Sequence, residues 1–235
     1  MVRYMQQRVR RPRNSITREE IVGVALQICE TEGAEALTIR AVATAMGAAP
    51  MSLYNHVATK DELLDAVLDA VMGRLQVATD PSKPWQDELA SFALALAAHL
   101  DAHRWAVLPL MTRPDPGDRT TAVGEVALAA ALRGGLSASS AVTAFAGLLS
   151  LVYGRAAFLA AAERPGAQPA HEVGARITAA SLAEYPATAS VASELVGYAS
   201  PVHLERAVRA LIEGLGRKKH GWDSQRFTPT HNWEL

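Results

Sequence analysis

Two groups of residues have types and spacings that could do chemistry. The first is the run Pro50-Met51-Ser52-Leu53-Tyr54-Asn55-His56, with Thr38, Arg40 and Lys60 nearby in the chain. An asparagine amide can pair bidentately with an adenine edge, a serine hydroxyl can bond several base edges, and Met or Pro can touch a thymine methyl. Tyr54, His56 and Lys60 suit phosphate oxygens, contacts that position a protein without specifying a sequence. Thr38 and Arg40 fall at the start of a short helical pattern, where free N–H groups and the helix dipole favour an anion. The second group is His99 and His103, four residues apart, the spacing of two ligands on one helix face. No carboxylate accompanies them as in a His-Glu-x-x-His motif, so no metal site is expected. The carboxylate pairs Asp61-Glu62 and Asp87-Glu88 stand at helix starts, where capping and the dipole account for them. Without a Gly-rich phosphate loop, a supported Ser-His-Asp order or a metal motif, no catalytic residue and no cofactor are expected.

The elements that must position these residues are all helical. Thr17-Arg18-Glu19-Glu20 has the form of a capping box, and Ile21, Val22, Ala25, Leu26, Ile28 and Cys29 follow on one face of a helix ended by Gly33. Thr38 caps a short helix with Ile39, Val42, Ala43 and Met46 at i, i+3, i+4 and i+7, stopped by Gly47. Pro50 suits the first turn of a third helix over residues 49–55, anchored by an inward Leu53. Thr59-Lys60-Asp61-Glu62, a second capping box, opens a long helix over 59–77 whose apolar face holds Leu63, Leu64, Val67, Leu68, Val71, Met72 and Leu75. Two short helices joined by a tight Gly turn on a three-helix core make a helix-turn-helix, whose second helix reads the major groove.

The turn chemistry of Asp80-Pro81-Ser82-Lys83-Pro84 marks a boundary. Beyond it the periodicity predicts helices over 85–102, 104–111, 120–133, 137–163, 170–183, 188–198 and 201–216, with no strand pattern and no repeat. The expected fold class is therefore all-α. A basic arm (1–15) precedes a helix-turn-helix domain (16–77), and a second helical domain (84–216) ends in a polar tail (217–235).

Composition agrees. Alanine, the best helix former, supplies 45 of 235 residues. A hydrophobic content of 49% with 20% charged residues excludes wholesale disorder. The single cysteine, Cys29, excludes a disulfide framework within the chain and fits a reducing, cytoplasmic setting; a small core residue is expected there. The apolar runs are interrupted by Gly, Arg or Glu before 18 residues, so no membrane span is expected. Charge is uneven about its total of −1: residues 1–60 carry +3 and residues 61–235 carry −4. Arg3, Arg8, Arg10, Arg11 and Arg13 stand in the arm without an acid, which suits either polyanion contact or a solvated tail.

The stretch Leu37-Thr38-Ile39-Arg40-Ala41-Val42-Ala43, Gly47, Ser52-Leu53-Tyr54-Asn55-His56-Val57 and Lys60-Asp61-Glu62-Leu63-Leu64 resembles the N-terminal domain of the tetracycline-repressor (TetR) family, in register over about residues 16–75. The resemblance implies a homodimeric, all-helical transcriptional regulator, usually a repressor, released from a double-stranded DNA operator by a small-molecule effector. It assigns the DNA-contact places to Thr38, Arg40, Pro50, Met51, Ser52, Tyr54, Asn55, His56 and Lys60. Residues 84–216 resemble the family's tetracycline-type ligand-binding domain more weakly, through Thr112-Arg113-Pro114-Asp115, the turn Gly134-Gly135-Leu136-Ser137 and the final stripe Leu211-Ile212-Glu213-Gly214-Leu215. Candidate pocket residues are His99, His103, Trp105, Met111, Thr112, Arg113, Phe145, Leu149, Tyr153 and Phe158. Where the drug-binding repressors carry a magnesium-binding His, three residues before Thr-Arg-Pro, this chain has Pro109, and no Glu matches their further metal-linked position on the long helix. Magnesium-tetracycline is therefore not the expected ligand. The small residues of helix 137–163, with helix 201–216, suit a four-helix interface across a two-fold axis. Two other classes stay open: an all-helical enzyme, and a non-specific architectural DNA binder, which the charge of −1 disfavours.

Overall fold

The computed structural model describes residues 16–113, 117–163, 166–168, 170–179 and 184–216; the basic arm and the polar tail lie outside them. The first helix, α1 (Arg18–Glu32), begins with the anticipated capping box: the Glu20 N–H donates to Thr17 Oγ1 at 3.1 Å and the Thr17 N–H to the Glu20 carboxylate at 3.3 Å. After a single 3₁₀ turn at Ala34–Ala36, which the sequence reading missed, α2 (Ile39–Met46) starts on a Thr38 cap, with Ala41 N–H donating to Thr38 Oγ1 at 3.0 Å. Gly47 ends it at φ 64°, the left-handed region that lets the chain reverse into the next helix. That helix, α3 (Pro50–Leu53), is one turn long and carries Pro50 in its first turn.

The fourth helix, α4, runs Lys60–Met72 and ends five residues before the pattern suggested. Its end coincides with a change of hydrogen-bond partners. The Val71 carbonyl, which a continuing helix would offer to the Leu75 N–H, instead takes the Arg74 N–H at 3.1 Å and His99 Nε2 at 2.9 Å, while Leu75 turns back to the Met72 carbonyl. Its start also differs. Thr59 Oγ1 accepts from the Glu62 N–H at 3.0 Å, but the Glu62 carboxylate takes the Ala58 N–H at 2.7 Å, one residue before the box position.

The remaining helices are α5 (Trp85–Ala102), α6 (Arg104–Thr112), α7 (Gly117–Arg133), α8 (Ala138–Ala162), α9 (Ala170–Thr178), α10 (Pro186–Ser190), α11 (Ala192–Leu195) and α12 (Pro201–Gly216). The expected helix over 188–198 is thus broken in two, because Val191 leaves helical geometry at ψ 10°. The helix expected over 170–183 ends its helical run at Thr178, and residues 180–183 lie outside the description.

One core runs through the described chain. Ile21, Leu26 and Cys29 of α1 meet Val42 of α2, Leu53 of α3 and Leu63, Val67 and Val71 of α4. It continues through Phe92, Leu96 and Leu100 of α5 to Leu148 and Val152 of α8 and Val208 and Ile212 of α12. Ala127, Ala130 and Ala131 of α7 and Ala141, Ala144 and Ala156 of α8 are buried as well; short side chains let these helices approach closely. Glu88, the buried acid among the described residues, pairs with Arg133 and accepts the Asp80 N–H at 3.0 Å, fixing the segment that leads into α5. Arg155 of α8 binds both Asp101 oxygens, at 2.9 and 3.0 Å, and donates to the Ala199 carbonyl.

The expected absence of a membrane span meets one candidate, by length and composition alone. By length and composition α8 is apolar enough to cross a membrane, because its glycines and alanines interrupt the run without making it polar. Less than a quarter of its most apolar 18-residue stretch is buried. Its outer stripe, Val142-Ala146-Ser150-Gly154-Phe158, is exposed throughout.

Candidate functional site

The first site is the face of α2 and α3. Leu53 is fully buried and roots α3 on the core, which leaves its neighbours outward. Pro50, Met51, Tyr54 and Asn55 are exposed, and Ser52 and His56 are half-buried. Met51 is the extreme, with 74% of its surface exposed. Thr38, Arg40 and Lys60 are also exposed and border the same turn. The Thr38 hydroxyl accepts the Ala41 N–H, so its free capacity is its own O–H. Arg40 and Lys60 engage no acid among the described residues. All nine sequence-predicted contact residues therefore lie on the surface, around one short outward-facing helix.

The second site is a cavity of about 420 Å³ enclosed by α4, α5, α6, α7 and α8. Its walls are mainly apolar: Leu68 and Met72 of α4, Phe92 and Leu96 of α5, Leu110 and Met111 of α6, Val123 and Leu128 of α7, and Phe145 and Leu149 of α8. The Phe92 and Phe145 rings lie 6.1 Å apart, tilted by 39°. Polar groups are few. Arg113 lines the cavity but is held by Asp65 through two hydrogen bonds and lies 3.5 Å from Asp61; the Asp65 bond above all raises the guanidinium pKa further. Thr120, Thr121, Glu125 and Tyr153 complete the lining, and burial pushes the Tyr153 phenol up.

Of the ten candidates named from sequence, Met111, Arg113, Phe145, Leu149 and Tyr153 line this cavity, and five do not. His99 points instead at the end of α4 through its bond to the Val71 carbonyl, which requires the proton on Nε2. Burial, then the neighbouring His103, lowers its pKa. His103 faces His99 at 4.6 Å between ring centroids, and its Nδ1 lies 3.9 Å from the Glu30 carboxylate of α1. Among the described residues no three His, Cys, Asp or Glu side chains are grouped to hold a metal ion. Trp105 and Thr112 line a separate groove with Gly33, Leu64, Leu108 and Pro109. Phe158 is half exposed and packs edge-on against Tyr198 at 5.1 Å.

More of the residues missed lie on α7 than on any other helix, and three, Asp65, Leu68 and Met72, lie on α4. For α4 a signal was present: its apolar pattern holds two stripes, Leu63-Val67-Val71 and Leu64-Leu68-Met72, more than one core requires. The first stripe is buried in the core shared with α1, whereas Leu68 and Met72 of the second line the cavity. Asp65 and Asp69 continue the link. The Asp69 carboxylate accepts the N–H groups of Arg119 and Thr120 at 2.9 and 3.0 Å, capping α7 from α4. Gly117, at φ 68°, makes room for it: a Cβ there would fall 2.5 Å from Asp69 Oδ1.

Comparison with known proteins agrees with this architecture. The family description "Tetracyclin repressor-like, C-terminal domain" matches residues 78–218, and "Bacterial regulatory proteins, tetR family" matches residues 21–67. An HTH-type transcriptional regulator of Saccharopolyspora erythraea is 32% identical over 139 residues, 59% of either chain. The tetracycline repressor protein class D of Escherichia coli is 31% identical over 137 residues, 55% of this chain and 63% of that protein. The chain thus spans about six-tenths of the length of these curated relatives. The crystal structure of the Streptomyces coelicolor TetR family protein ActR in complex with actinorhodin superposes with a TM-score of 0.76 at 25% identity, covering 86% of this chain and 96% of that one. A second Streptomyces coelicolor transcriptional regulator gives 0.72 at 27% identity, covering 85% and 97%. The two matched descriptions together cover the helix-turn-helix and the cavity-bearing helical domain. The chain belongs to the TetR family of bacterial regulatory proteins.

Proposed function

We propose that this protein is a homodimeric repressor that occupies a palindromic operator and is released when a small molecule enters its cavity. The observation that carries the reading is the double role of α4. One face of that helix is buried against α1 of the helix-turn-helix, and the other supplies Leu68, Met72 and Asp65 to the cavity wall. A ligand that fits best when α4 is displaced biases the molecule away from the DNA-binding arrangement, which is all that release requires. A volume of about 420 Å³ lies in the range of drug-sized ligand sites.

In this reading residues 16–77 bind DNA and residues 84–216 bind ligand and partner. Asn55, Ser52, Met51 and Pro50 face base edges, and Tyr54, His56, Lys60, Thr38 and Arg40 face phosphates. The exposed stripe of α8, with α12, forms the two-fold interface. The two recognition helices then stand about 34–36 Å apart, one turn of DNA. The solved complex of ActR with actinorhodin supports a small-molecule ligand. The working compartment is the cytoplasm, where operator DNA is found, and no catalytic step is assigned.

In vitro selection from random DNA with the purified protein tests this. We expect a short inverted repeat whose half-sites are one helical turn apart, and the recovered site becomes the probe for ligand release. Salt-sensitive retention of all DNA without a motif would instead mark an architectural binder.

A further inference from the structure

The cavity walls also determine what charge a ligand can carry, an inference that rests on the cavity being the effector site. Nearly every polar group facing it is already occupied. Both Asp65 carboxylate oxygens take hydrogen bonds from Arg113, whose remaining nitrogen contacts reach the Asp61 carbonyl and carboxylate. The guanidinium therefore offers no free charge to a ligand anion. The Thr121 hydroxyl donates to the Gly117 carbonyl at 2.8 Å, and the Thr120 hydroxyl lies 3.3 Å from Asp69. Two lining groups have no protein partner among the described residues: the Glu125 carboxylate on α7 and the Tyr153 hydroxyl on α8. Burial keeps the Tyr153 phenol protonated, so it can both donate and accept.

We propose that this cavity selects a ring-bearing ligand that is neutral or cationic and discriminates against anions, with Glu125 reading its charge and Tyr153 its hydrogen-bonding group. The Phe92–Phe145 pair and the surrounding Leu and Met side chains supply the apolar contact for the rings. An anion would meet one uncompensated negative charge and no available positive one. An ammonium or other cationic donor would find Glu125 at the rim.

Three fluorescent probes of one three-ring size class test this: 9-aminoacridine (a cation), anthracene-9-carboxylate (an anion) and anthracene-9-methanol (neutral). Each is titrated against the full-length protein, and the first two are made to compete with the third. The expected order places the cation at least about tenfold tighter than the anion, the scale of one partly screened charge contact. Glu125→Gln, on a protein whose thermal midpoint is unchanged, should bring the two ions close together while leaving the neutral probe alone. Tyr153→Phe should weaken anthracene-9-methanol by about fivefold, one hydrogen bond's worth. Equal binding of anion and cation by the native protein, or a discrimination that survives Glu125→Gln, overturns the charge selection while the neutral probe still confirms a cavity. An unchanged anthracene-9-methanol affinity in Tyr153→Phe overturns the role given to Tyr153. Failure of all three probes to bind overturns the effector-site reading itself, and the charge proposal with it.

Discussion

His99 holds the end of α4 through a single proton on Nε2, and that makes it the side chain through which acid reaches the junction. Burial above all, then the neighbouring His103 and, least, Arg74 hold its pKa below the ordinary value of 6.5, and the Val71 carbonyl only partly opposes them. In the unfolded chain the same imidazole titrates at that ordinary value. Between roughly neutral pH and pH 5.5 the unfolded state therefore takes up more protons at this position, and stability must fall as pH falls. Glu30 and Arg74 also face this site, so the comparison has to be made within one background. We expect the thermal midpoint of the native protein to drop more between pH 7.5 and 5.5 than that of His99→Gln, whose amide keeps a donor for Val71. Identical drops would assign the acid sensitivity elsewhere. At this scale the sequence was legible where partners are local. The outward set around Leu53 follows from one turn of helix, whereas the partner of His99 lies 28 residues away and leaves no trace in the spacing.

Helix boundaries show the same division. The caps at Thr17, Thr38 and Thr59 could be read directly, because each hydroxyl accepts an N–H three residues on. The start of α7 could not. The pattern put it at residue 120, but it begins at Gly117, because its free N–H groups are satisfied by Asp69 from another helix, some 50 residues earlier. α4 was likewise read as longer than it is; at its end a side chain from α5 bonds the Val71 carbonyl. Asp69→Ala should leave the first turn of α7 without its acceptor and cost about 1–2 kcal/mol, as lost helix caps do. Amide exchange at Arg119 and Thr120 should accelerate in that variant while exchange in α5 stays slow. Unchanged exchange at those two amides would show that the cap adds nothing to the order of the turn.

For the molecule as a whole, the helical class, the helix-turn-helix and the interruption between α4 and α5 were legible because each rests on capping, turn and periodicity signals within a few residues. The cavity was half legible: aromatic and Arg positions on α6 and α8 suggested it, but the α4 wall needed the packing of two domains to appear. The outer stripe of α8 is an exposed run of mostly small and apolar residues, and a second copy is the expected cover. Light scattering should give twice the 25.0 kDa of one chain. Ser150 is exposed at the middle of that stripe, where its hydroxyl bonds only the Ala146 carbonyl of its own helix. Ser150→Arg should therefore yield a folded monomer with lost operator affinity, and a dimer that persists in this variant would place the interface elsewhere. The shared wall of α4 has a further consequence. In the repressor we propose, one helix serves both compartments, so the coupling runs in both directions by the same factor. A copy seated on its operator must sense its effector more weakly than a copy free in solution. The dose at which a gene responds is then set partly by the number of sites the regulator has to leave.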